Sequence, residues 1–488
     1  MTTPIFRLPA PLLTLLSEIN TFIETDILPL QHSDDNNRFF DHRREYARTD
    51  WENGGTPRRE WEELLEKARV LADGRGFWRY ALPEEYGGRG GGNLDMAVLR
   101  MRLARRGLGL LSRVGGEYRC SDQSWDELQI VAWSTHALAG SPRMSASLNA
   151  WNKVGGHEDS LTKIHCDLQN EWSIVGNFPD ILMVREFGTP EQKQKFIHDR
   201  LAGKTIFAFG LTEPSHGSDA THMSTNAVPH QQDGVPGWLI NGEKMWISGM
   251  HRATHCLIFA RTGGKAGDAK GITAFFVERN QAGFKVEGFE WTFNMPTDHA
   301  RLSLKDVFVS EDAILGKVGE GLSIAQCFVH ENRLRQAASS LGAAQYCINQ
   351  SILYARQRTP FGKPLASNQA IQFPIVELST QCEMLKLLIL KTASEMDACT
   401  SSEQITRELG HKVSMCNYWA NRLCCEAADR AMQIHGGMGY SRRLGFEHIF
   451  RHHRRYRITE GAEEIQMRKI AGHLFGYMGA RKAEMSKL

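Results

Sequence analysis

The chain has 488 residues, 41% hydrophobic and 23% charged, with a formal net charge of +2. That length allows two to four domains with sizeable cores. Near-neutrality sets aside a nucleic-acid or membrane-surface role for the whole chain, and no apolar run approaches the roughly 18 residues of a membrane helix.

Residues 1–205 read mostly as helix. LLTLLSEINTFI and EWEELLEKARVLA carry apolar residues three and four apart with charges between them. LPEEYGGRGGG, residues 82–92, is a turn-rich break, and Pro190 starts a further amphipathic helix over 191–203. Residues 115–169 have weak periodicity with scattered Trp and Cys. They read as an atypical surface insertion, or as translated intron, because Gly116-Glu117-Tyr118 can be encoded with a donor-like GTGAGT.

Over 206–318 the period changes to strands. Asn241-Gly242 lies between apolar runs and predicts a two-residue hairpin turn. HCLIFART, GITAFFVE and RLSLKDVFV supply further strands of a compact sheet or barrel. Over 319–480 long helices with heptad-like stripes predict an antiparallel bundle. The fold class is α+β, mainly α. The ten cysteines are scattered without a CxxC, and Cys424 and Cys425 are adjacent, which suits free thiols in a reducing compartment. The tail 481–488 ends in Ser486-Lys487-Leu488, the peroxisomal import address read by a receptor.

Four stretches could carry chemistry. FAFGLTEPSHGSD, residues 207–219, offers small side chains and hydroxyls that can cradle a polar ligand edge, or it is a plain Gly/Ser connection. KMWISG, residues 244–249, sets a Trp beside a Ser, for stacking on a ring or for core packing. In ARQRTPFGKPLASNQAI, Arg358 is a pyrophosphate clamp or a helix C-cap, and Gln369 opens the next helix. In AMQIHGGMGY, Gly436-Gly437 stops a helix one turn after Gln433. His448 and His452 are four apart but lack companion ligands, so they read as a solvated or interface helix face and no metal site is expected.

Together and in this order, TEPSHGSD, NGEKMWIS, RTPFGKPLASNQ and QIHGGMGY resemble the acyl-CoA dehydrogenase family over nearly the whole chain, 115–169 excepted. The resemblance implies an N-terminal helical domain, a central β-domain, a C-terminal four-helix bundle and FAD as cofactor. It places Phe209, Leu211, Thr212, Gly217, Ser218, Trp246 and Ser248 at the flavin, with Ser218 also at substrate. Ser248 would face the flavin N5 region. Arg358, Gln369, Gln433, Gly436 and Gly437 would reach the ADP half of a flavin held mainly by a neighbouring subunit, implying a homo-dimer or tetramer.

The family's YEGTSQIQ corresponds to Thr459-Glu460-Gly461-Ala462-Glu463-Glu464-Ile465-Gln466, so Glu460 is the expected base, with Gly461 at substrate. Ala462 and Glu464 replace residues that touch the nucleotide, which puts those cofactor contacts in question. A second subgroup carries its base in a Glu-Arg pair, and here that pair is Asn332-Arg333, leaving Arg333 for the substrate side. The activity implied is α,β-dehydrogenation of an acyl-CoA by a eukaryotic, peroxisomal β-oxidation enzyme, with a flavoprotein or oxygen as electron acceptor. The alternatives are an acyl-CoA oxidase, which usually carries a further helical domain, and a non-catalytic flavoprotein relative.

Overall fold

The computed structural model describes residues 8–40, 42–106 and 174–477. The irregular stretch 115–169 and the terminal Ser486-Lys487-Leu488 lie outside the described residues. Helices α1 (Ala10–Phe22), α2 (Arg59–Gly74) and α3 (Asn93–Arg105) are followed by α4 (Pro179–Phe187). The long helices α5 (Gly321–Gln357), α6 (Gln369–Asp397) and α7 (Gly410–His435) come after the strands, with α8 (Phe446–Tyr456) and α9 (Glu463–Leu474) closing the described chain.

The amphipathic spacing read from the sequence places its apolar stripes inward. Trp61, Leu64, Leu65 and Ala68 of α2 are buried, at intervals of three and four. Helix α3 is buried on nearly every side because it packs between α5 and α6. One apolar core therefore joins the N-terminal helices to the C-terminal ones, from Leu12 through Leu99 to Ala428. Thr189 caps the helix that Pro190 starts, with a reciprocal Gln192 bond.

Strands β1 (Thr49–Asp50) and β2 (Thr56–Pro57) pair antiparallel on their own. Between the helical parts, eight strands form one sheet: β3 (Phe207–Gly210), β4 (Asn226–Gln232), β5 (Val235–Ser248), β6 (His255–Arg261), β7 (Ile272–Glu278), β8 (Phe284–Phe289), β9 (His299–Ser310) and β10 (Ile314–Leu315). Their order is β10-β7-β6-β4-β5-β9-β8, with β3 pairing parallel to β6.

The expected turn at Asn241-Gly242 is corrected. Strand β5 runs straight through it, and the hairpin turn is Asp233-Gly234, with φ of +50° and +83°. Asn241 is instead held in the ladder: its side chain donates to Asp306 Oδ1 (3.0 Å) and accepts from the Asp306 amide (2.8 Å), at a register shift that relieves the strand there.

The reading of His448 and His452 as a solvated or interface face is also overturned. Both are buried with His453, because the spacing of four turns them to the inward side of α8. His453 Nδ1 meets Ser340 Oγ of α5 at 2.8 Å.

The helices around α5 are tied by a buried polar ladder. Asn417 of α7 donates to the Arg333 carbonyl (2.8 Å) and to Gln336 Oε1 (3.3 Å). Its own oxygen accepts from Asn421 (3.1 Å) and Gln466 (2.8 Å), so its full bonding capacity is used. Asn417→Leu conserves volume but strands four partners, which costs roughly 3 kcal/mol. At about 2 °C per kcal/mol for a large chain, the apparent Tm falls by roughly 6 °C in a thermal melt.

Candidate active site

Glu460 and Gly461 form a strained corner between α8 and α9, with φ of +57° and +93°. A non-glycine residue in the left-handed region is uncommon and costs about 1 kcal/mol or more. Arg333 holds it there: Nε and Nη2 both donate to the Glu460 carbonyl, at 2.8 and 2.6 Å. The guanidinium comes so close that a Cβ on Gly461 would lie 2.8 Å from Nη2. Glycine is therefore required here by φ and by space. Gln466, one turn into α9, donates to the Gly461 carbonyl (2.9 Å) and completes the frame.

Glu460 is half-buried, with its carboxyl withdrawn from water near Asn332 and Arg333. Burial raises its pKa to about 7, against the opposing pull of the Arg333 charge and a long hydrogen bond (3.5 Å) from Asn332. Asn332 occupies the alternative base position and here supplies a donor to the carboxylate. It is itself oriented by Asn177, whose amide donates to Asn332 Oδ1 (2.8 Å). Arg335 donates to Asn177 and pairs with Glu331 (2.7 Å). Asn177 escaped sequence reasoning, since a lone Asn before Phe178-Pro179 carries no motif.

The three glutamates of this stretch have separate roles. Glu463, at the first position of α9, is buried and bound by Arg457 (2.8 Å) and Arg422 (3.2 Å). Glu464 is exposed in the same turn, and Ala462 is the N-cap.

Close by lies a cluster of basic side chains. Burial and Arg333 lower Lys469 to about 8, and Lys469 has no ion pair among the described residues. The buried His330 ring has no hydrogen-bond partner on either nitrogen among those residues. A Cβ on Gly410 would lie 2.6 Å from Lys469 Nζ and 3.4 Å from His330 Cε1. Further along, His411 stacks on His473 with centroids 3.5 Å apart, and burial with the neighbouring cations pushes His411 down to about 4.

A second set of residues lies on the sheet. Trp246 and Ser248, two apart on β5, are both exposed, while Ile247 between them is buried. Trp246 has φ +65°, at a register shift between Lys244 and Ile247. A strained, exposed Trp beside an exposed hydroxyl makes a flat open platform that fits an isoalloxazine ring. The loop after β3 is tied alongside, with the Met245 amide donating to the Thr212 carbonyl (3.0 Å). Leu211 and Thr212 are half-buried, while Gly217 and Ser218 are exposed. A Cβ on Gly217 would meet only Thr212, at 3.8 Å, so the loop is open there. The Phe209 ring faces inward, stacked on Phe328 at 4.2 Å, which leaves its backbone for a ligand.

The anchor of this loop was missed at the level of sequence, although both its residues lie within the quoted motifs. Glu213 and Lys244 form a fully buried ion pair (3.0 Å). Glu213 also accepts from the Ser224 amide and hydroxyl (both 2.7 Å) and the Thr225 amide (2.9 Å), while Lys244 donates to the Leu211 carbonyl (3.2 Å). Lys244 and these donors outweigh the burial that opposes ionisation, and Glu213 is held at about 2.

A third set gathers at one end of the bundle. Arg358 is the exposed C-cap of α5, Gln369 begins α6, and Gln433 lies in the last turn of α7 before Gly436 (φ +59°) and the exposed Gly437. Tyr354 packs on His435 with centroids 4.3 Å apart, which brings these helix ends together. Gln433 is sixteen residues beyond Asn417 on α7, about 24 Å along the axis. The third set is thus remote from Glu460 of its own chain.

A family profile described as the middle domain of acyl-CoA dehydrogenase matches residues 208–307, and one described as its C-terminal domain matches 319–475. The caffeyl-CoA reductase–Etf complex subunit CarC of Acetobacterium woodii is 35% identical over 288 residues, 59% of this chain and 73% of that protein. Glutaryl-CoA dehydrogenase of Desulfococcus multivorans is 28% identical over 480 residues, 98% of this chain and 99% of that one. A structure of a glutaryl-coenzyme A dehydrogenase–glutaryl-CoA complex superimposes with a TM-score of 0.68 at 25% identity, covering 98% of each chain.

Lys244→Met alone strands Glu213 in the core, costing about 3–5 kcal/mol, whereas adding Glu213→Met removes the unpaired charge and leaves a smaller loss of about 1–3 kcal/mol from the stranded Ser224, Thr225 and Leu211 partners. Thermal melts of the two variants separate these outcomes.

Proposed function

The chain belongs to the acyl-CoA dehydrogenase family, binds FAD and dehydrogenates an acyl-CoA, and on that premise we propose that Glu460 is the base that takes the substrate's α-proton. The observation that carries this is its desolvated carboxyl, poised at about 7 on a corner fixed by Arg333. FAD, when bound, supplies the acceptor for the β-hydrogen as hydride. The residues that would hold its ring are Leu211, Thr212, Gly217, Ser218, Trp246 and Ser248, with the backbone at Phe209. Arg358, Gln369, Gln433, Gly436 and Gly437 would hold the nucleotide half belonging to a neighbouring subunit, and Ala462 and Glu464 would border it.

Gly461, Ser218 and Arg333 are the proposed substrate contacts. The backbone at the corner offers an N–H where charge develops on the thioester oxygen. Lys469 and Arg333 supply the positive charge of a lining suited to the phosphates of CoA, beside the imidazoles of His330 and His411, which burial keeps uncharged.

The homo-oligomer reading is supported by α6, where Phe373, Val376, Met384 and Leu387 are each more than half exposed on one helical stripe. The proposed electron acceptor is an electron-transferring flavoprotein, as the name of the Acetobacterium relative suggests. Ser486-Lys487-Leu488 supports a proposed peroxisomal address for a eukaryotic β-oxidation enzyme.

The sign of the pH dependence follows from the raised carboxyl. The active carboxylate accumulates as pH rises through about 7, so single-turnover flavin bleaching by acyl-CoA increases about tenfold per unit below that point and levels above it. Between 4.5 and about 7 the native state keeps a proton that the unfolded chain has lost, so stability falls across that window as pH rises. Glu460→Gln keeps bound FAD and loses bleaching by about a thousandfold or more. Arg333→Gln removes the charge opposing the shift and moves the inflection to higher pH. Unimpaired bleaching by Glu460→Gln would refute the assignment. For the oligomer, Val376→Glu lowers the molar mass seen by light scattering, since it buries an unpaired charge in the interface.

A further inference from the structure

Ser248 has one hydrogen-bond partner among the described residues. His299, at the start of β9 and opposite Ser248 in the ladder, brings Nδ1 to 2.8 Å from Ser248 Oγ. The same nitrogen lies 3.3 Å from Asp298 Oδ1. The ring also meets Trp246 edge-on, with centroids 6.4 Å apart. The His299 side chain is 15% exposed while Ser248 is open to the platform. The charged groups acting on the ring are Asp298 and, from α8, Arg455. Glu290, whose amide donates to the His299 carbonyl, pairs loosely with Arg301 at 3.8 Å. Burial, reinforced by Arg455, outweighs Asp298 and holds the imidazole below its ordinary range, so it is neutral at pH 7.

A neutral imidazole carries one N–H, and its neighbours decide where. A carboxylate only accepts, so Asp298 beside Nδ1 favours the proton on Nδ1. Ser248 Oγ then accepts from His299, and its own O–H is left to point outward across the platform. We propose that His299, backed by Asp298, is a positioning residue that fixes the Ser248 hydroxyl as a hydrogen-bond donor to the acceptor edge of the oxidised flavin. This rests on the placement of the flavin against Ser248 given above. The oxidised ring offers a lone pair at N5, and the donor draws electron density towards the atom that accepts hydride. After reduction the same edge carries N–H, which the fixed donor opposes. The arrangement therefore favours the oxidised form at rest.

The test uses FAD-loaded enzyme titrated with dithionite against an indicator dye, together with the visible absorption band of the bound flavin. His299→Leu frees the Ser248 hydroxyl to turn, and Ser248→Ala removes it. Both should shift the oxidised-to-reduced ratio towards reduced flavin by about tenfold, the worth of one hydrogen bond. The double variant should shift no further than Ser248→Ala. His299→Gln, whose amide can still donate to Ser248, should stay close to the unaltered protein in ratio and band position. A silent His299→Leu beside a shifted Ser248→Ala would overturn the relay and leave the flavin placement standing. A silent Ser248→Ala would overturn the placement itself and the proposal with it. Additive shifts in the double variant would mean that His299 acts without Ser248, which also overturns the relay.

Discussion

The Arg333 guanidinium on the backbone carbonyl of Glu460 is the contact on which the reactive corner depends. Two short N–H bonds to one carbonyl fix the orientation of a peptide that would otherwise leave the left-handed region. Because Arg333 spends these donors on the backbone, the carboxylate of Glu460 is not neutralised by a direct ion pair. Burial can then raise its pKa, while the nearby positive charge limits the rise. One side chain therefore sets both the position of Glu460 and the poise of its carboxyl.

That contact is itself held by the buried ladder through Asn417. The Arg333 carbonyl, the Gln466 amide and Asn421 all meet this residue, so α5, α7 and α9 cannot shift independently. Such a fully satisfied polar network is costly to disturb because each member lies away from water. The sheet has a corresponding device in Lys244 and Glu213, whose buried pairing fastens the loop after β3 to β5. Strained backbone at Glu460 and at Trp246 persists beside these two anchors, where neighbouring bonds over-determine it.

The basic lining around Lys469 and His330 has a different character. Lys469 has no ion pair among the described residues and is held largely out of water, a state that an anionic ligand relieves. It adjoins Arg333, so the substrate's phosphates and its reactive carbons would be received by neighbouring faces of α5 and α9.

Much of this was legible in the chain. Helical periodicity located α1, α2, α5, α6 and α7, since a stripe of apolar residues at intervals of three and four has one way to be buried. The motifs carried Glu460, Gly461, Trp246 and Ser248 as candidates. Local signals failed where long-range pairing took over. Asn241-Gly242 has the chemistry of a hairpin turn, yet β9 captures it within a ladder, and Asp233-Gly234 turns the chain instead. His448 and His452 read as surface residues by composition, but the packing of α8 against α7 buries them. The roles of Asn177, Asn417, Lys469 and His299 could not be read at all, because each is defined by a partner distant in sequence. The sequence by itself determined the periodic elements, the glycine at the corner and the carboxylate beside it. Only the tertiary structure decided what surrounds that carboxylate, because desolvation, charge and hydrogen bonding act through space between residues that the chain keeps far apart.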